Sequence, residues 1–299
     1  GPLLFIIYIN DICKIIDNDS SCKLYADDLK LYSNYNSSVD AMQTIQKSLD
    51  NLYTWSVDWQ MGINLAKCCV LHLGKNTVKN DYYINGVKVK CEDSVRDLGV
   101  LMDSNLRLNE HINNICSRAH NRVSLLFRGF ISHDIRTITN AYKIYVRPLL
   151  EYCSIVWNPW QIGLINCLEN VQRYFTRRLV YPRTMPYVER LAMLDLELLE
   201  IRRIKFDMYY CFKIINNLTP LDPAIYFQHD NRYLNTRNYD LNLLHVSKSV
   251  NRRTDNFFFN RCTFLWNSLT VECRTAESLY RFKQLLNMHD FKSFLKGHI

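Results

Sequence analysis

Up to about residue 104 short alternating apolar runs are interleaved with helical stripes; beyond it the strand signals stop and apolar residues recur every third or fourth position. This change of period constrains the chain most. It predicts an α+β protein whose front mixes short strands with helices and whose rear is all helix. With only 8 Gly and 7 Pro in 299 residues, a collagen-like or linker-like chain is excluded and long helices are favoured. Apolar residues make up 48% of the chain, enough to bury a sizeable core.

Along the front, Leu3 to Ile16 carries a near-helical apolar stripe, and Asp17 to Ser21 reads as a loop. Cys22–Tyr25 and Leu29–Tyr32 flank Ala26-Asp27-Asp28 and predict a hairpin of two short strands. A helix capped by Ser37 or Ser38 follows, with Val39, Met42, Ile45, Leu49, Leu52, Trp55 and Trp59 on one face and Gly62 as its stop. Cys69 to Leu73 predicts a strand, Asn85-Gly86 a second hairpin, and Leu98 to Met102 a further strand. All these short strands are expected to pair antiparallel. In the rear, helices are predicted over 106–130, 134–153, 162–180, 188–194, 198–215, 257–269 and 276–295, with an irregular polar stretch at 230–255.

Charge is distributed unevenly. Residues 1–100 carry a net −2, whereas residues 101–299 carry +10, with 20 Arg against 7 Lys. Arg presents a planar fork that matches phosphate oxygens, so the rear reads as a nucleic-acid footprint or as a solvated helical surface. No apolar run approaches the roughly 20 residues of a membrane span, so no membrane partner is expected. The 11 cysteines are scattered and read as mostly reduced, buried small apolar residues. Cys262, Cys273, His289 and His298 are spaced too widely for a structural zinc site. The sequons at Asn18, Asn36 and Asn217 carry no weight without secretion.

Two adjacent carboxylates at a tight turn between apolar strands, Asp27 and Asp28, are costly unless a cation or hydrogen bonds compensate them. Mg²⁺ takes hard oxygen ligands, commonly one or two carboxylates plus substrate phosphates. In phosphoryl transfer two such ions sit about 3.5–4 Å apart. Small Ala26 leaves room for a nucleic-acid strand. The alternative is an ordinary Asx-type turn.

Leu24-Tyr25-Ala26-Asp27-Asp28 resembles the catalytic motif of reverse transcriptases of non-LTR, LINE-like retrotransposons. The likeness extends to Gly1–Phe5 with Tyr8–Asp11, to Trp55–Trp59, to Asn64–Cys68 and to Asp97–Val100. Further back it includes Tyr145–Tyr152, Val156–Pro159, Leu168–Arg173, Arg202-Arg203 and Phe264–Asn267, and so covers nearly the whole chain.

The resemblance implies a partial polymerase palm over 1–104, a thumb-like helical region over 105–182 and a helical C-terminal region over 183–299. It implies RNA-directed DNA polymerase activity with two Mg²⁺ ions, Asp27 as ligand of both and Asp28 as a weaker one. Lys67 matches a lysine that protonates the leaving pyrophosphate, or is a solvated lysine at a strand start. Leu98 and Gly99 are expected to position the primer terminus, or to form a plain strand-flanking turn. Tyr25 is expected beside the primer end, or is simply a strand aromatic. Arg173, Arg177 and Arg178 share one side of a helix and would grip template–primer phosphates. Arg202-Arg203 would do the same or form a solvated face.

RNA template, DNA primer and dNTPs are the implied partners, and nucleus or cytoplasm the implied location. The family's third metal-binding aspartate, its substrate loop and its fingers precede the matching segment. The expectation is therefore an N-terminally truncated polymerase that is inactive alone, or a nucleic-acid-binding relic of such an element.

Overall fold

The computed structural model describes residues 1–16, 20–33, 38–74, 79–130, 134–227, 243–246 and 255–297, with the side chains of 38–41 not described. The expected loop at Asp17–Asp19, the Ser37 cap, Asn18, Asn36, His298 and nearly all of 230–255 lie outside these residues. The chain divides into two compact units, Gly1–Arg107 and Leu108–Ile299.

The first unit opens with α1 (Pro2–Ile9) and a 3₁₀ turn (Ile12–Lys14), where one longer helix is predicted from the stripe. Strands β1 (Ser21–Tyr25) and β2 (Asp28–Tyr32) form the expected antiparallel hairpin, with Leu24 opposite Leu29 and Tyr25 opposite Asp28. Side chains alternate faces along a strand. Leu24 and Leu29 therefore turn together onto a core of Ile9, Ile12, Leu52 and Trp55, while Tyr25 and Asp28 turn outward. Leu52 and Trp55 come from α2 (Ser38–Asp58). This helix ends four residues before Gly62, and Gln60 takes up the left-handed conformation beyond it.

A 3₁₀ turn (Leu65–Lys67) leads into β3 (Cys69–Leu71). The Asn85-Gly86 hairpin forms as β4 (Tyr83–Ile84) and β5 (Val87–Lys88), with φ of +50° and +73° at the two turn residues. Two strands escape the sequence pattern, β6 (Lys90–Glu92) and β7 (Ser94–Asp97). Strand β7 pairs antiparallel with β8 (Val100–Asp103), but β6 runs parallel to β3, with Cys69 opposite Lys90. The expectation of antiparallel pairing throughout is therefore corrected: β3 pairs with a strand distant in sequence rather than through a hairpin.

Within its described residues the second unit is almost wholly helical. Helix α3 (Asn109–Gly129) and α6 (Ile162–Leu179) match their predicted positions. The helix expected over 134–153 is instead α4 (Ile135–Tyr145), a 3₁₀ turn (Arg147–Leu150) and the short α5 (Ser154–Trp157). Asp134 caps α4 by accepting from the Thr137 N–H at 2.8 Å. Pro148 has no N–H with which to continue the α-helical ladder. Tyr142 stacks on Phe175 with ring centroids 4.1 Å apart, both fully buried.

Helices α7 (Tyr187–Met193), α8 (Leu199–Ile215) and α9 (Pro223–Tyr226) follow. Against α8 pack helices Phe258–Ser268 and Leu279–Met288, burying Met208, Phe212, Trp266 and Phe282. The helix predicted over 276–295 starts only at Leu279, because the Ser278 side chain accepts from the Arg281 N–H as its cap. It is preceded by a separate turn of helix, Val271–Arg274, and followed by a 3₁₀ turn, Lys292–Phe294.

Candidate active-site hairpin

Alternation along β1 and β2 leaves the tip of the hairpin outside the core. Ala26 and Asp27 make the two-residue turn, and Ala26 has φ of +50°, a left-handed conformation costly for any residue with a Cβ. Asp27 and Asp28 are both exposed, and neither carboxylate has a hydrogen-bond or ion-pair partner among the described residues. Tyr25 stands beside them, 67% exposed.

An ion pair ties this hairpin to a second one. Lys30 lies two residues beyond Asp28, hence on the same strand face, and its Nζ sits 2.5 Å from Asp97 Oδ1. Asp97 ends β7 and immediately precedes Leu98-Gly99, the two-residue turn of the β7–β8 hairpin. Leu98 and Gly99 have φ of +43° and +86°, so both turn residues are left-handed. Gly adopts this without penalty, whereas Leu98 is held there against its preference. Burial, then the negative potential of Cys22 and Asp97, push the hydroxyl of Tyr32 at the far end of β2 upward in pKa.

The Lys30–Asp97 pair thus links the hairpin that carries the carboxylates to the hairpin that carries the Leu98-Gly99 turn. Sequence reasoning missed the pair, although Lys30 shares the face of Asp28 and Asp97 opens a motif already singled out. Lys67 is the last residue of the 3₁₀ turn before β3, exposed, and joined to neither Asp27 nor Asp28 by any hydrogen bond or ion pair.

As a metal site, the pair supplies two unengaged carboxylates, donors of the kind Mg²⁺ takes. Among the described residues no group of three or more His, Cys, Asp or Glu side chains could hold a metal ion. The pair therefore fits as part of a ligand set. Cys262, Cys273 and His289 likewise form no such group, and Cys262 is fully buried.

Residues 1–102 match the family described as reverse transcriptase (RNA-dependent DNA polymerase). Over this segment the chain resembles reverse transcriptases. The chain is 25% identical over 168 residues to the RNA-directed DNA polymerase from mobile element jockey of Drosophila funebris, which covers 52% of this chain and 18% of that protein. It is 31% identical over 121 residues to the uncharacterized protein B0403.1 of Caenorhabditis elegans, covering 39% of this chain and 61% of that one. A probable RNA-directed DNA polymerase from transposon X-element of Drosophila melanogaster is 26% identical over 167 residues, 52% and 18% of the two chains. The chain thus spans between about a fifth and three fifths of the relatives it matches. No solved structure matches it. The carboxylate hairpin and the Leu98-Gly99 turn both lie inside the segment that matches this family.

In the second unit, Arg173, Arg177 and Arg178 all lie on α6 but in different settings. Arg177 and Arg178 are exposed, and Arg178 lies 4.4 Å above the Phe127 ring while donating to the Tyr174 hydroxyl at 3.0 Å. Arg173 is half-buried, 5.0 Å over the Tyr187 ring. The solvated-face alternative for Arg202-Arg203 is corrected. Arg203 is fully buried and donates from Nε to Asn158 Oδ1 at 3.1 Å, and Arg202 pairs with Glu151. Both lie on the α8 face that packs on the neighbouring helices, so these two arginines serve the interior of the unit.

No helix of the described residues is long and apolar enough to cross a membrane.

Proposed function

We propose that this chain carries the metal-binding carboxylate pair and part of the nucleic-acid surface of an RNA-directed DNA polymerase from a non-LTR mobile element. The observation behind this reading is the exposed Asp27–Asp28 pair at a hairpin tip, without a partner among the described residues, inside a segment that matches the reverse transcriptase family. Residues 1–104 are then part of a palm, 105–182 thumb-like, and 183–299 a helical tail. The site of action is nuclear or cytoplasmic.

In this reading Asp27 and Asp28 hold Mg²⁺, with further ligands from outside the described residues. Bound magnesium would neutralise phosphate charge and favour ionisation of the primer hydroxyl. Ala26, with its single methyl, lets the primer end approach the turn, and the Tyr25 ring packs against it. Leu98 and Gly99 fix the primer backbone, and the Lys30–Asp97 ion pair ties their hairpin to the carboxylate hairpin. Lys67 carries on Nζ the proton that the leaving pyrophosphate takes. Arg177 and Arg178 grip phosphates of the RNA–DNA duplex, while Arg173 contributes mainly to packing. The substrates are dNTPs, an RNA template and a DNA primer.

Mn²⁺, read by its electron paramagnetic resonance signal, tests the site directly. The 299-residue chain is expected to bind it weakly, and Asp27→Asn and Asp28→Asn to lose that binding. Binding unchanged in both variants would overturn the reading. A second reading is a nucleic-acid-binding relic without catalysis, in which exposed Arg177 and Arg178 still meet nucleic acid. It predicts duplex binding with no carboxylate-dependent binding of metal.

A further inference from the structure

We propose that Cys13 and Cys22 form a redox-sensitive disulfide site at the base of the carboxylate hairpin. Cys13 lies in the 3₁₀ turn after α1 and Cys22 in β1, and their Sγ atoms are 3.1 Å apart. A disulfide needs about 2.05 Å, so the sulfurs must close by only ~1 Å. Cys13 is exposed and Cys22 half-buried, so an oxidant in solution reaches one member of the pair directly.

Two other cysteine pairs face each other, Cys116 with Cys167 and Cys211 with Cys262. Cys211 and Cys262 are both buried, as is Cys116, which sets the Cys13 pair apart. Burial first, then the hydrogen bond to Cys13, push the Cys22 thiol up to about 12. Thiolate is the attacking species, so Cys22 is a poor first nucleophile and Cys13 takes that role.

With oxidised glutathione as the oxidant the chemistry balances. The Cys13 thiolate attacks one glutathione sulfur, expels a glutathione thiolate and forms a mixed disulfide. Cys22 then gives up its proton and attacks the Cys13 sulfur, releasing the second glutathione. Two protein thiols are oxidised and one glutathione disulfide is reduced to two thiols. The high local concentration of Cys22 at 3.1 Å compensates for its low thiolate fraction in the second step. The cross-link would tie the start of the strand that ends at Tyr25 to the turn beneath it.

The full 299-residue chain, equilibrated in mixtures of reduced and oxidised glutathione, alkylated and digested with trypsin, supplies the test. Cleavage after Lys14 and Lys23 separates the two cysteines. The expected product is peptide 1–14 joined to peptide 15–23 and lighter by two hydrogens, formed at a lower oxidised fraction than any adduct on the exposed Cys153. Cys22→Ser should arrest the reaction at a glutathione adduct on Cys13, and Cys13→Ser should leave Cys22 largely unmodified. Alkylation of Cys13 and Cys22 to the same extent as Cys153 across the series would overturn the proposal. The wild-type peptide map decides this even if a variant fails to fold.

Discussion

Asp207 of α8 is completely buried, and Arg261 grips both of its carboxylate oxygens, with Nε and Nη2 each at 2.8 Å. Asn158 donates to the same carboxylate at 2.9 Å, and Arg261 also donates to the Ile155 carbonyl at 2.6 Å. The pair thereby bolts α8 to α5 and to helix Phe258–Ser268. Removing one partner strands a charge in the interior, which typically costs about 3–5 kcal/mol. Asp207→Ala and Arg261→Met should each lose about that much by urea denaturation, and Asp207→Leu with Arg261→Met should recover part of it. Single-variant losses below about 1 kcal/mol would contradict this account.

Glu169 gives the second unit a pH dependence of definite sign. Burial pushes its carboxyl above the ordinary value of 4.5, against hydrogen bonds from Tyr187 at 2.5 Å and the Leu199 N–H at 3.1 Å that favour the charged form. A raised folded-state pKa means the folded protein binds the proton more tightly than the unfolded chain. The resulting stabilisation is full below 4.5 and is lost as pH rises through the folded value. Wild type should therefore lose stability relative to Glu169→Gln as pH is raised from 4.5, followed by thermal unfolding. A gap between the two proteins that does not change with pH would reject the assignment.

How much of this was legible in the sequence depended on range. Tyr25-Ala26-Asp27-Asp28 and Asn85-Gly86 declared their hairpins locally, since alternation and turn chemistry span only a few residues. Strand β6, Lys90-Cys91-Glu92, is polar and pairs with β3 across intervening chain, so no local pattern marked it. The unbroken helix expected over 134–153 overlooked Pro148, and the one over 276–295 overlooked the Ser278 cap. At the site, the carboxylates were visible but the Lys30–Asp97 tie was not, because it joins two hairpins. Arg202 and Arg203 looked like surface charge because their partners, Glu151 and Asn158, lie some fifty residues earlier.

Two left-handed turn positions should respond differently to exchange between Gly and Ala. Gly86 has φ of +73° and open space where a Cβ would stand. Gly86→Ala therefore costs backbone strain alone, about 1 kcal/mol of stability by denaturant titration. Ala26, with φ of +50°, already carries that strain. Ala26→Gly relieves it while loosening the unfolded chain by a similar amount, so the net change should stay within about 0.5 kcal/mol. A loss of more than about 1 kcal/mol from Ala26→Gly would show that the methyl group packs in the fold.

Arg173, Arg177 and Arg178 share α6, but their settings predict different phenotypes. Each phosphate contact contributes roughly one unit to the dependence of log affinity on log salt. Exposed Arg177, and Arg178 held over Phe127 and Tyr174, are placed to make such contacts. Arg177→Ala and Arg178→Ala should each flatten the slope for an RNA–DNA duplex by about one unit, equally for all sequences, with little change in melting temperature. Arg173, half-buried over Tyr187, should instead lower the melting temperature and leave the slope nearly intact. Fluorescence anisotropy across a salt series, paired with thermal unfolding, separates the two behaviours. A slope unchanged by Arg177→Ala and Arg178→Ala would remove α6 from the nucleic-acid surface.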